Sequence, residues 1–243
     1  VGVEGWEKWL LDLVAIGTVA DCTRILGENR IFVKWGMYVA ERTKWVGLKK
    51  LLQMSGLVNT EIDTYHLGFV VAPRLNAAGR IEHANLALEL LITDNEEEAQ
   101  NLAVKLNELN KHRQELTAQI LSEAREQLEE SRNQKILLAA GEGWPKGVVG
   151  LVAGKLPEEF YRPVLILEKS GEQATGSARS IRNFNIVEAI GKSESILVKY
   201  GGHPMAAGFS LRSEHIEVFH KNLLEYAETM LSELSSAAVI NFP

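Results

Sequence analysis

Cysteine is almost absent. Cys22 is the single one in 243 residues, so no internal disulfide can staple the fold. That usage suits a reducing cytoplasm, and a lone thiol of this kind is expected as a small buried apolar residue. Long apolar runs are missing too. No stretch approaches the roughly 20 residues needed to cross a bilayer, and no secretory signal pattern opens the chain, so no membrane partner is expected. Positive charge is in short supply, with 26 Lys and Arg against 32 Asp and Glu and a net charge of −6. A broad basic face for nucleic acid is therefore not indicated. The deficit is local, however. Ten acids and four bases lie between Asp94 and Glu130, which accounts for the whole net charge. The rest of the chain balances and leaves room for a local positive cleft. Internal repeats and low-complexity segments are absent as well.

What is present describes an ordinary globular protein, 46% apolar and 24% charged, long enough for one large domain or two modest ones. The chain opens on Val1 rather than Met, and Val1–Gly5 reads as mid-domain sequence. An excised fragment is therefore expected, with Ala237–Pro243 as the start of something further.

Leu10–Gly17 is a short apolar run that reads as a buried strand, placing Asp21 just past its carboxyl end, the edge where ligands bind in open α/β sheets. A turn is expected at Gly27-Glu28-Asn29 and a helix over 37–56. Pro73 and a Gly-Arg pair argue for a structured loop over Tyr65–Arg80. From Asn95 to about Arg132 the apolar positions Leu102, Leu106, Leu109, Leu116 and Ile120 step by three and four. They predict a long helix, with Arg113 interrupting its stripe. Near Gln134 the periodicity changes. Strands are predicted at Lys135–Ala140, Pro163–Glu168 and Ala174–Ser180, and helices at Gly147–Leu156, Asn185–Tyr200 and Glu214–Leu234. A Gly-rich turn at Gly201–Leu211 leads into a further strand. Alternating strands and helices make the fold class α/β.

Three places suit phosphate, which needs unobstructed backbone N–H groups and cationic side chains. Gly201-Gly202-His203 combines close backbone approach with an imidazole, although the same residues would also make a plain turn. Ser177 and Arg179 point to one strand face, where a hydroxyl and a guanidinium together can clamp an anion. Arg74 and Arg80 frame the small residues Asn76, Ala77, Ala78 and Gly79; one of them could instead cap a helix or pair with Glu82. Asp21 is the one well-placed metal candidate. His66, His83, His112, His215 and His220 are scattered, so a complete two-metal site is not assembled from these residues. Trp144 is either a core residue or a base-stacking one. No Ser-His-Asp, zinc-spacing or P-loop pattern stands out.

Taken in order, DLVAIGTVAD, GENRIFVKWGM, APRLNAAGR, LNELNKHRQELT, GEGWPKGVVGLVAGKLPEEFYRPVLIL, GSARSIRNFNIVEAIG and YGGHPMAAGFSL resemble the DHH–DHHA1 phosphoesterases, most closely their RecJ-like branch. The resemblance implies that residues 1–72 close a DHH catalytic domain and 73–134 form a loop and connecting helix. Residues 135–236 would be a DHHA1 substrate-binding domain with a mixed sheet, and 237–243 a tail. It implies a Mn²⁺- or Mg²⁺-dependent, single-strand-specific DNA exonuclease working 5′ to 3′ in repair and recombination. Asp21 would be one metal ligand of an incomplete site. The remaining ligands would lie in a missing N-terminal DHH region of the same protein, leaving this piece nearly inactive alone. The resemblance further implies that His203 and Asp21 would carry the catalytic role, and Arg74, Arg80, Ser177, Arg179, Gly201, Gly202 and His203 the grip on single-stranded DNA. Where the family often has His after the Trp, this chain departs with Pro145-Lys146; if that His helps to bind substrate, Lys146 would partly replace it. Two alternatives stand beside this reading: a phosphodiesterase for short oligonucleotides or cyclic dinucleotides, and an inactive nucleic-acid-binding scaffold.

Overall fold

The computed structural model describes residues 5–238, with side chains to residue 230; of the tail expected at Ala237–Pro243, residues 239–243 lie outside it. The chain divides into two units, residues 1–114 and 115–243.

The first unit is helical. Helices α1 (Leu11–Ala20), α2 (Glu28–Ala40), α3 (Val46–Met54), α4 (Ala72–Ile81) and α5 (Asn85–Ile92) pack with the first half of α6 (Glu96–Glu130). Their core holds Ala15, Leu48, Leu51, Leu67, Leu90 and Leu106. The strand expected at Leu10–Gly17 is thus helix α1. Asp12, Ala15, Ile16 and Val19 have helical spacing and turn toward the core, but the stripe opens on a carboxylate and was masked by apolar neighbours such as the exposed Val14. Asp12 is buried and accepts from the Thr43 hydroxyl at 2.7 Å. Desolvation holds its carboxyl above the usual range. Thr43 sits in the break between α2 and α3, so the single helix expected over 37–56 is two.

The loop expected at Tyr65–Arg80 is also helical: a π-helical turn, His66–Val71, runs into α4. Pro73 falls in the first turn of α4, directly after the π-helical turn, and the helical run passes through it unbroken.

The second unit is a five-stranded mixed sheet in the order β1-β2-β3-β5-β4, from β1 (Leu137–Glu142), β2 (Val164–Ser170), β3 (Gln173–Arg179), β4 (Leu197–His203) and β5 (Ala206–Arg212). β1 and β2 are parallel, joined through α7 (Lys146–Phe160); the other pairs are antiparallel. On one face Leu165, Leu167, Ala178, Phe209 and Leu211 pack with residues of α8 (Ile186–Gly191) and α9 (Ile216–Ala238), including Phe219, Leu223 and Ala227. On the other face α7 contacts β2 and β3. The helix expected over Asn185–Tyr200 stops at Gly191, because Leu197–His203 pairs with β5 as a strand. The Gly201-Gly202-His203 turn is accordingly the end of β4.

Candidate functional site

Strand alternation sets Thr175, Ser177 and Arg179 on one side of β3, with Ala174, Gly176 and Ala178 buried on the other. The registers of β3, β5 and β4 then align three rows across the sheet: Arg179–Ala206–His203, Ser177–Gly208–Gly201 and Thr175–Ser210–Lys199. At about 4.8 Å per strand, Ser177 and Gly201 are about 10 Å apart. The floor between them is open. A Cβ on Gly201 would meet nothing within 4 Å, and one on Gly208 only the Gly176 carbonyl at 4.0 Å.

This alignment depends on a bulge. Leu197 pairs with Leu211 on the buried face, and the register then shifts so that Lys199 pairs with Ser210. One extra residue, the exposed Val198, exchanges the faces of everything after it. Without it Lys199, Gly201 and His203 would share the face of Leu197. With it Tyr200 takes that side and packs on α8 beside Gly191, while Lys199, Gly201 and His203 turn to the open face.

The β4–β5 turn is tied down. The Met205 carbonyl accepts from the Ser180 N–H, and the Pro204 carbonyl from the Ile186 N–H, both at 3.0 Å. The Met205 N–H approaches His203 Nδ1 at 3.5 Å, which holds the ring beside the turn. Gly202 has φ of 151°, and a Cβ there would fall 2.3 Å from the Ala206 carbonyl oxygen; only glycine fits. On β3, Arg179 Nη1 donates to Ser177 Oγ and to the Ala178 carbonyl, each at 2.9 Å. The hydroxyl and guanidinium are therefore adjacent. They lie against α7 at Gly150, whose missing Cβ would sit 3.4 Å from Ser177 Oγ. Gly150 was not singled out from the sequence. Its signal was a glycine inside a helix, where propensity gives no reason for one.

The other expected residues belong to the first unit. Asp21 is exposed at the C-cap of α1. The Cys22 N–H donates to the Val19 carbonyl and the Thr23 N–H to that of Thr18, a Schellman closure that puts Cys22 at φ 54°. Cys22 is consequently exposed, not buried, because the left-handed turn carries it away from the core. A Mn²⁺ or Mg²⁺ ion takes about six ligands, chiefly oxygens. Among the described residues no group of three or more His, Cys, Asp or Glu could hold a metal ion. Asp21 by itself does not fit such an ion, and no metal-dependent step is assigned to these residues.

Arg74 is half-buried, with Nε donating to Asn107 Oδ1 at 3.0 Å and Nη1 to the Val70 carbonyl at 2.7 Å; it ties α4 to α6. Glu82 pairs with Lys105 at 2.8 Å. Desolvation, and after it the charge of the nearby Arg80, hold the Arg113 pKa down. The interruption that Arg113 makes in the α6 stripe was the readable sign of this pair. Trp144 is 4% exposed and donates to Glu123 Oε2 at 2.8 Å, so it is a core residue and has no face for a base. Lys146 opens α7, its Nζ 4.0 Å from Glu168 Oε2.

The DHHA1 domain family matches residues 133–229. The single-stranded-DNA-specific exonuclease RecJ of Bacillus subtilis (strain 168) is 43% identical over 227 residues, 92% of this chain and 29% of that protein. The crystal structure of RecJ from Thermus thermophilus in complex with Mn²⁺ superposes with a TM-score of 0.82 at 34% identity, covering 91% of this chain and 33% of that one. The same protein in complex with Mg²⁺ gives 0.83 at 34% identity, over 91% and 35%. The chain thus spans about a third of the length of these relatives. Among the described residues no helix is long and apolar enough to cross a membrane. This α/β chain, with a long helix leading into a five-stranded mixed sheet, is thus similar across nine-tenths of its length to RecJ proteins, and its residues 133–229 match the DHHA1 domain family.

Proposed function

We propose that the open sheet face of the second unit grips the backbone of a single DNA strand, and that the chain is the substrate-holding part of a RecJ-type single-strand-specific exonuclease. The observation that carries this reading is the alignment of Ser177, Arg179 and His203 around the bare floor of Gly201 and Gly208. Arg179 supplies a planar cationic fork for phosphate oxygens, Ser177 a hydroxyl and His203 an imidazole. Gly202 holds the strand end in the shape that presents Gly201. A phosphate held this way has donors aimed where charge builds on its oxygens during hydrolysis.

In this reading residues 1–72 close the catalytic DHH domain, 73–134 connect and 135–236 hold the substrate. Arg80 joins the grip on the strand, and Arg74 positions the helix that carries Arg80. The whole protein hydrolyses phosphodiesters 5′ to 3′ with Mn²⁺ or Mg²⁺, in the cytoplasm, during DNA repair and recombination. Asp21 is one ligand of that centre, and the chain by itself is nearly inactive.

Fluorescence anisotropy of the chain with a 5′-phosphorylated single strand and its duplex, across a salt series, tests this reading. Preference for the single strand is expected. About three phosphate contacts give a log–log salt slope near −2, at roughly −0.7 per contact. Absence of binding at low salt overturns the grip; nucleotide release by the chain alone at a nuclease's ordinary rate overturns the division of labour.

A further inference from the structure

Of the three rows on the open face, the phosphate grip uses two. The third, Thr175–Ser210–Lys199, borders a concavity of about 320 Å³ that also takes in Gly176, Gly201 and Gly208 and, from the neighbouring row, Tyr200 and Phe209. Thr175 and Ser210 are half-buried and Lys199 is exposed. Among the described residues none of these three side chains has a hydrogen-bond or ion-pair partner. The nearest acid in the row is Glu168 on β2, opposite Thr175. It is 8% exposed and faced by Lys146. Three strand intervals, about 14 Å, separate it from Lys199, so it does not neutralise the lysine.

An ammonium and two hydroxyls around a floor of glycines suit a phosphate oxyanion; no ring on the row offers a base a stacking surface. The row lies two residues along β4 from Gly201, about 6.6 Å, in the direction away from His203. The bulge at Val198 is what turns Lys199 outward, on the side of Gly201 and His203. We propose that Lys199, Ser210 and Thr175 form a second phosphate subsite. It takes the phosphodiester next to the one held by Ser177, Arg179 and His203, so that a strand crosses this face along β4. The inference rests on the reading of this face as a phosphate grip and adds its direction and reach.

Two probes separate the subsites: a fluorescein-labelled ten-residue oligothymidylate, followed by anisotropy across a salt series, and a thymidine dinucleotide with a single phosphate, followed by amide NMR shifts. Lys199→Gln is expected to weaken the ten-residue strand about fivefold and to reduce the salt slope by about 0.7, one contact's worth. It should leave the dinucleotide unchanged, whereas Arg179→Gln weakens both probes. Ser210→Ala should weaken only the longer strand. If Lys199→Gln binds that strand like the unaltered chain while Arg179→Gln does not, the second subsite is overturned and the grip stands. Equal weakening of both probes by Lys199→Gln also overturns it, by placing Lys199 at the first phosphate. If neither variant changes either probe, grip and subsite fall together.

Discussion

The two units treat apolar surface differently. Among the described residues, thirteen large hydrophobic side chains are exposed in the first unit, including Trp35 at 52% and Phe69 at 72%, against five in the second. The second unit covers its sheet with helices on both faces, so β2 is buried from Val164 to Glu168. The helices of the first unit close one core around Leu48 and Leu51 and leave Ile31, Phe32, Trp35 and Tyr38 of α2 to solvent. A layered sheet can be self-sufficient, with only its functional face left polar. A helical assembly that leaves this much apolar surface exposed gains less from folding, and patches of this kind mark surfaces that associate.

The sharpest way to break that comparison is a pair of truncations. Phe219 is fully buried, its ring 5.0 Å from that of Phe209. Phe219→Ala should cost the second unit about 3–5 kcal/mol in urea unfolding. Trp35→Ala in the first unit should change stability by about 0.5 kcal/mol or less. Equal costs would mean that the exposed ring packs far better than its exposure implies.

A smaller effect comes from pH. His220 is mostly desolvated, and this pushes its pKa down, partly opposed by its contact with the Ile136 carbonyl at 3.1 Å. The unfolded chain therefore takes up the proton first. Stability of the second unit should fall as pH drops below about 6.5, the ordinary histidine value, toward the lower folded value. Thermal melts of the chain and of His220→Gln between pH 7.5 and 5 check this; an unchanged pH slope in the variant would remove His220 as the cause.

The smallest effect belongs to the first unit. Cys22 holds a left-handed conformation that glycine adopts freely. Cys22→Gly should stabilise the end of α1 by about 0.5–1 kcal/mol, seen as slower amide exchange at Thr23. Faster exchange would show that the thiol contributes something the turn needs.

Legibility followed the same division. In the second unit, β1, α7, β2 and β3 were readable because each segment is buried in a simple pattern, and Ser177 and Arg179 share a face by strand parity alone. In the first unit, α1 was read as a strand because Asp12 stands in its core stripe, a buried carboxylate that the Leu13 N–H and the distant Thr43 hydroxyl, 31 residues away, help to satisfy. The π-helical turn before α4 was likewise hidden, since Pro73 signals a break until its place in a first turn is known.

The sequence by itself determined the order of elements from β1 to β3, the pairing of a hydroxyl with a guanidinium on β3 and the glycines that keep the floor bare, but not the strand β4. The tertiary structure alone decided which face His203 and Lys199 occupy. Side-chain direction along a strand depends on parity, and one bulged residue at Val198 reverses it. Nothing local marks that bulge, which lets Leu197 pair with Leu211 and Tyr200 lie beside Gly191 of α8 in the same strand.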